Sequence, residues 1–236
     1  MVAIFDIGKT NKKAFIFDED YRIVFEKSTV LPEAEDDEGD PCEDLQALTK
    51  WIEQAVAAVL SQKEFPVNAI NVSAYGASFV HLDGEGQPVC PLYNYLKAFP
   101  EDLKNQFYGT YGEAEELALE TASPPLGNLN SGLQLYLLKH RNPLIFNKIK
   151  WSLHLPQYVT YVIGRKLGWF SSPVEVGSDM TSIGCHTMLW DFKKNDYHDW
   201  VKSEGIVEKL PPIASPPARQ KCVPRIMDRP QSCSQI

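Results

Sequence analysis

Apolar positions along the first thirty residues fall into three short runs: Val2-Ala3-Ile4-Phe5, Ala14-Phe15-Ile16-Phe17, and Tyr21 to Val30, the last rich in β-branched and aromatic side chains. Runs of this kind predict strands, and the short polar turns between them allow hairpins but no helical crossover, so an antiparallel three-stranded start is expected. Leu45, Leu48, Ile52, Ala55, Val56 and Val59 then recur at helical spacing. They predict an amphipathic helix whose apolar stripe covers the sheet, with Glu43 and Asp44 near its start, where the helix dipole favours negative charge. Asn68 to Ala74 and Ser78 to Leu82 read as further strands, and Asp83-Gly84-Glu85-Gly86 as the turn that leads out of the second.

Beyond residue 98 the periodicity is mainly helical. Leu133, Leu135, Tyr136, Leu137 and Leu138 form an apolar helical segment behind Asn130-Ser131, which offers N-cap side chains, and Gln157 to Ile163 reads as another helix ending near Gly164. From Glu33 to Asp44 eight of twelve residues are acidic and none is basic. Such density repels itself and predicts a solvated loop, with a cation site as the alternative. From Pro211 to Ile236 the chain carries six of its seventeen prolines and almost no amphipathic periodicity, which predicts a disordered or aberrant tail.

Composition narrows the setting. At 236 residues, 44% hydrophobic and 23% charged, the chain can bury a substantial core. A formal charge of −8 disfavours binding to a phosphate backbone, so no nucleic-acid partner is expected. No apolar run approaches the roughly 20 residues a membrane helix needs, and the first residues carry no signal-peptide pattern, so a cytoplasmic protein is expected. Cys42, Cys90, Cys185, Cys222 and Cys233 are odd in number, widely spread and without a CxxC pair, which predicts free thiols. His186 beside Cys185 lacks a matching cluster to complete a zinc site, and His81, His140, His154 and His198 are read as structural in the same way.

Three short motifs carry candidate chemistry. The first is Asp6-Ile7-Gly8-Lys9-Thr10-Asn11-Lys12-Lys13, right after the first strand. A glycine in a tight turn lets backbone N–H groups approach a phosphate, while hydroxyl, amide and ammonium groups add donors and charge. An ordinary hairpin explains the same residues. The second is Val72 to Asp83, containing Tyr75-Gly76-Ala77-Ser78-Phe79, followed by Pro91-Leu92-Tyr93-Asn94-Tyr95; sheet packing alone accounts for its aromatics equally well. The third is Gly177-Ser178-Asp179-Met180-Thr181-Ser182-Ile183-Gly184, running on into Thr187-Met188-Leu189-Trp190-Asp191. A carboxylate there can accept a proton from a hydroxyl, or simply cap a helix.

In this order the motifs resemble the N-terminal domain of the FGGY carbohydrate kinases. Asp6, Gly8 and Thr10 match the family's Asp-x-Gly-Thr-Thr/Ser phosphate loop, from which Lys9 departs, and Lys13 falls where a phosphate-facing base is common. Tyr75, Gly76 and Phe79 are similar to the sugar-binding strand pair of the rhamnulokinase branch, within a rhamnulokinase, fuculokinase and xylulokinase group; Ser78 stands in place of a carboxylate and Tyr95 in place of an Asp. Asp179 matches the catalytic base. The resemblance implies an α/β, ribonuclease H-like lobe of the actin-like ATPase and hexokinase superfamily, with a mixed sheet, antiparallel N-terminal strands and flanking helices. It implies ATP and Mg²⁺ as cofactors, with Asp6, Gly8, Lys9, Thr10, Asn11 and Lys13 toward the nucleotide and Asp6 also toward the metal. Tyr75, Gly76, Ser78, Tyr93 and Asn94 would face a ketose, deoxyketose or polyol. Hexokinase-like and acetate-kinase-like relatives fit the Ser-Asp and Thr-Met-Leu arrangement less well.

The resemblance runs over residues 1–210 and then stops, so 211–236 are expected to form an aberrant or disordered tail, such as a frameshift or gene truncation would leave. After Gly184 the sole glycine is Gly205, so a second Gly-rich phosphate loop, which the family draws from a second lobe, is expected to be absent. Two functions stay open on sequence: a kinase completed by a separately encoded lobe, and a truncated, noncatalytic sugar-binding lobe.

Overall fold

The computed structural model describes residues 1–214. Strands β1 (Val2–Ile7), β2 (Asn11–Phe17) and β3 (Ile23–Val30) pair antiparallel, as the short turns require. β4 (Glu33–Glu35) and β5 (Pro41–Glu43) form a separate small hairpin, after which α1 (Leu45–Leu60) leads to β6 (Ala69–Ala74). β6 lies parallel to β1, completing a mixed sheet of order β3-β2-β1-β6.

Period-two alternation sets the inner face of this sheet. Ala3, Phe5 and Ile7 of β1 and Ala14 and Ile16 of β2 are fully buried, whereas Ile4, Asp6, Lys13 and Phe15 on the other face are half-buried. Leu48, Ile52, Ala55, Val56 and Val59 of α1 join the inner face in one core, together with Tyr158, Val159 and Val162 of a later helix. Burying each such side chain contributes about 1.5–3 kcal/mol.

After β6 come β7 (Phe79–Leu82), then α2 (Glu101–Tyr111), α3 (Ala114–Thr121), α4 (Ser131–Arg141) and α5 (Pro143–Lys148). β8 (Trp151–His154) pairs antiparallel with β7 and runs directly into α6 (Leu155–Lys166). A single helical turn, α7 (Met180–Ile183), is followed by the short pair β9 (Trp190–Asp191) and β10 (Asp196–Tyr197) and by α8 (Asp199–Ser203). These later helices surround a second core centred on Phe107, whose ring meets Tyr136 and Trp200 edge-on at 5.1 Å.

Several sequence expectations need correction. The acidic stretch is not simply a solvated loop. Asp36 closes the β4–β5 turn by accepting from Glu38 and Asp40 N–H at 2.9 and 3.0 Å, and Lys97 Nζ sits 2.8 Å from carboxylates of Asp36, Glu38 and Asp40. The neutralising cation comes from a segment far along the chain, which local charge density does not reveal. Asp44 caps α1 by accepting from Ala47 N–H, but Glu43 belongs to β5 and points elsewhere. Asn130 stands at the start of α4 without capping it; its amide instead joins Leu126, Pro124 and His186 backbone groups. α6 ends at Lys166, two residues past Gly164 and so near the expected end, and an added Cβ at Gly164 would run into the Phe170 ring.

The expected tail begins too early. Pro212 C=O accepts from Ser178 N–H at 2.9 Å and Ala214 N–H donates to Ser178 C=O at 2.7 Å, so this segment runs alongside Ser178. Gly177, at φ +73°, makes the approach possible, since a Cβ there would lie 3.2 Å from Pro212 O. The rest of the predicted tail, with Cys222 and Cys233, lies outside the described residues. Cys42, Cys90 and Cys185 are free thiols.

His81 and His154 are buried on the β7–β8 pair, held at 2.9 Å by Ser152 and Ser131 hydroxyls. Burial pushes both imidazoles down to about 3, with His154 adding to the effect on His81. An unfolded histidine takes up its proton near pH 6.5, so the unfolded chain binds more protons as pH falls from there toward 3. Stability should therefore be full above about pH 6.5 and decline below it. The urea midpoint is expected to be lower at pH 5.5 than at pH 7.5, and His81→Gln should shrink the difference; equal midpoints at the two pH values would refute this.

Candidate functional site

The site lies where β1 and β6, being parallel, end at the same edge of the sheet. β1 leads into the Gly8–Thr10 turn, closed by Gly8 N–H donating to Asn11 C=O at 2.9 Å. A Cβ on Gly8 would stand 3.1 Å from that oxygen, so the tightness of the turn favours glycine. Thr10 and Asn11 are exposed, and their side chains make no hydrogen bond among the described residues. Lys9 Nζ lies 3.8 Å from Glu33. Lys13 is set back from the turn: it is the cross-strand partner of Asp6 on the half-buried sheet face, with its Nζ 3.4 Å from Glu26 and over the Phe15 ring.

The aromatic loop sits beside that turn, because Tyr75 N–H donates to Ile7 C=O at 3.3 Å. Tyr75 OH donates to Glu43 at 3.1 Å, and Glu43 in turn holds Lys12 Nζ at 2.8 Å. Burial, followed by the Glu43 carboxylate, raises the Tyr75 phenol well above its ordinary value and keeps it protonated. Lys12 is only 1% exposed, and it also donates to Lys9 C=O at 2.9 Å, bracing the turn from beneath. Neither Lys12 nor Glu43 stood out in the sequence as a site residue. The signal was there in parity: Lys12 alternates with Ala14 and Ile16 and so faces inward.

Gly76 is exposed and Ser78 buried. Ala77 C=O accepts from Gln134 at 2.7 Å and Ser78 C=O accepts from Leu155 N–H at 3.0 Å, which ties this loop to α4 and α6. Tyr93 and Asn94 turn toward the acidic hairpin, Tyr93 OH donating to Asp37 at 3.1 Å and Asn94 Nδ2 to Pro41 C=O at 3.3 Å. Tyr95 bridges the two groups, its ring centroid 5.9 Å from that of Tyr75.

Asp179 precedes α7 and caps it. It accepts from Ser182 N–H at 2.8 Å, from Ser182 Oγ at 2.9 Å, from Thr181 Oγ1 and from Gln157 Nε2. Burial alone would raise this carboxyl, but the hydrogen bonds from Thr181 and Ser182 outweigh it and hold the group below the ordinary aspartate value, hence ionised. Gln157 is 8% exposed and its buried Oε1 has no partner among the described residues. This leaves an unpaired acceptor on the amide that contacts Asp179, a feature that the helical pattern around Gln157 did not announce.

Glu120, Asp191 and His198 also come together, with ligand atoms within 4.8 Å of one another. They do not fit a metal. His198 Nδ1 accepts from Trp200 N–H, so Nε2 carries the proton it gives to Glu120 at 3.0 Å, and Lys194 Nζ lies 3.5 Å from Asp191.

Solved structures share this fold. A carbohydrate kinase from Novosphingobium aromaticivorans matches with a TM-score of 0.71 and 23% identity over 90% of this chain and 42% of its own. A ligand-bound xylulose kinase from Lactobacillus acidophilus matches at 0.72 and 19% identity, over 92% and 42%. Plasmodium falciparum glycerol kinase with ADP matches at 0.70 and 18% identity, over 91% and 43%. The chain thus shares the fold of one part of these kinases. Residues 1–220 match the FGGY family of carbohydrate kinases, N-terminal domain, and the chain belongs to that family. It spans about two fifths of the length of these solved structures. No curated protein matches the sequence. Among the described residues no helix is long and apolar enough to cross a membrane.

Proposed function

We propose that residues 1–220, the stretch that matches the family model, form the sugar-binding half of an ATP-dependent carbohydrate kinase, in which a second lobe closes the nucleotide site. The observation that carries this reading is the contact between Tyr75 N–H and Ile7 C=O, which sets the Gly8–Thr10 turn against the Tyr75–Ser78 loop. The start of α6, where Leu155 N–H donates to Ser78 C=O, links that loop to Gln157 and through its amide to Asp179.

A triphosphate suits the turn, since the Thr10 and Asn11 side chains are exposed and free to donate. Lys9 and Lys13 would add positive charge and Asp6 would hold magnesium or its water. Bound MgATP supplies the γ-phosphoryl group. Asp179 would accept the proton of the attacking sugar hydroxyl while Gln157 Oε1 and the Tyr75 to Ser78 loop, with Tyr93 and Asn94, orient the sugar. Because Asp179 already receives four donors, one hydroxyl, that of Thr181 or Ser182, must turn away as the sugar arrives. Most of the rate in such a reaction comes from positioning and charge neutralisation. A cytoplasmic setting, where ATP is abundant, belongs to the same reading. The second reading, a sugar-binding lobe without turnover, is favoured by the capping of α7, which by itself accounts for Asp179.

A polypeptide of these 236 residues alone should turn over ATP negligibly, because one phosphate turn without an opposing wall leaves the γ-phosphate hydrated and poorly placed. Joined to the second lobe of a family member, it should release ADP only when one of a panel of ketoses and polyols is present. A folded joined protein whose ATP turnover is the same with and without every sugar overturns the proposal.

A further inference from the structure

The two edges of the four-stranded sheet differ. β3, at one edge, carries Glu26 and Lys27 in its middle, charges of the kind that keep an exposed strand from pairing with another chain. β6, at the other edge, reads Ala69-Ile70-Asn71-Val72-Ser73-Ala74 and has no charge, no proline and no break in its register with β1. Among the described residues no strand pairs with its far side. An edge without such protection is one that natural sheets cover.

The backbone shows which groups are open. Along a strand in a parallel pair, alternate residues turn their N–H and C=O toward the same neighbour. Tyr75 N–H donates to Ile7 C=O, so the odd-numbered residues of this segment face β1, and Ile70, Val72 and Ala74 face outward. Val72 N–H agrees: it is met at 2.8 Å by the side-chain oxygen of its neighbour Asn71, in an exposed position. Such a bond is exchanged for one to a strand at little net cost. The side chains of Ile70, Val72 and Ala74 are half-buried against the core, and α6 packs on β6, so an added strand would extend an apolar layer already in place.

A second copy of this chain meets these conditions by symmetry. Across a two-fold axis perpendicular to the sheet, two β6 strands run antiparallel, with residues of the same parity opposite one another on the same face. The outward groups of Ile70, Val72 and Ala74 then meet those of the copy. Their side chains fall together on the inner face, and Asn71 and Ser73 fall together on the outer one. No like charges are opposed, as they would be if β3 paired with itself around Glu26 or Lys27.

We propose that two copies of this chain join edge to edge through β6, in one continuous sheet with four strands from each. The contact uses neither the Gly8–Thr10 turn nor Asp179, so it stands apart from the reading of the chain as part of a kinase.

Sedimentation velocity on the full chain tests it. A contact of one strand pair is small, and a dimer with a dissociation constant of about 1–100 µM is expected. Asn71→Lys with Ser73→Lys sets like charges against each other on the exposed outer face without touching the core, and should weaken the dimer at least about 10-fold, while Ser28→Lys on β3 should leave it within about 2-fold. Deuterium exchange at the β6 amides should be slower in the dimer than in the double variant. A chain that stays monomeric up to about 1 mM overturns the inference. Slow β6 exchange in such a monomer would overturn it in favour of the chain covering its own edge with residues beyond 214. A dimer unaffected by the double variant overturns it too, because the contact then lies elsewhere.

Discussion

Replacing Asp179 by Asn, in the chain joined to a second kinase lobe, is expected to lower kcat by about 10²–10⁴-fold with little change in sugar affinity. The substitution keeps size and hydrogen-bonding capacity but removes the ionised carboxylate that the Thr181 and Ser182 hydrogen bonds maintain. If Asp179 only caps α7, the outcome differs. Asn caps helices about as well as Asp, so stability would fall by at most about 1 kcal/mol and turnover would stay near wild type. Steady-state kinetics beside a urea titration separates the two, and a folded Asn variant with wild-type kcat removes Asp179 from the chemistry.

The second large effect is expected at Lys12. Its ammonium is buried against Glu43 and Lys9 C=O, so Lys12→Met strands a buried carboxylate and should cost about 3–5 kcal/mol. Removing both charges, in Lys12→Met with Glu43→Leu, should recover part of that loss, because the penalty lies in the uncompensated charge rather than in the missing pair. The midpoint of urea unfolding measures both variants. A double variant less stable than Lys12→Met alone would show that the pair contributes in some other way, such as through Tyr75.

Much of the sheet was legible because alternation survives wherever one face is buried: Ala3, Phe5 and Ile7 mark the inner side of β1 without any knowledge of α1. α4 was legible as a helix but not in its orientation, since Leu133, Leu135, Tyr136 and Leu138 are buried around most of its circumference and leave no polar face to read. Asp44 was recognisable as a charge favoured near the start of α1, but not its hydrogen bond to Ala47 N–H. The partners of Asp36, Glu43 and Asn130 were not, because Lys97, Lys12 and His186 reach them from distant segments. At the site, the order of the motifs was readable along the chain. What joins them, the Tyr75–Ile7 contact, the Glu43–Tyr75 hydrogen bond and the Gln157 amide on Asp179, exists only after folding.

The strand-like contact at Ser178 has a mechanical side. Pro212 and Ala214 clasp Ser178 through its own N–H and C=O, one peptide away from Asp179. A pull on Ala214 itself loads those two hydrogen bonds directly, and a rotation there is passed to the residue that follows Ser178. An attachment placed so close to Asp179 works as a short lever, coupling the position of that carboxylate to the Pro212–Ala214 segment.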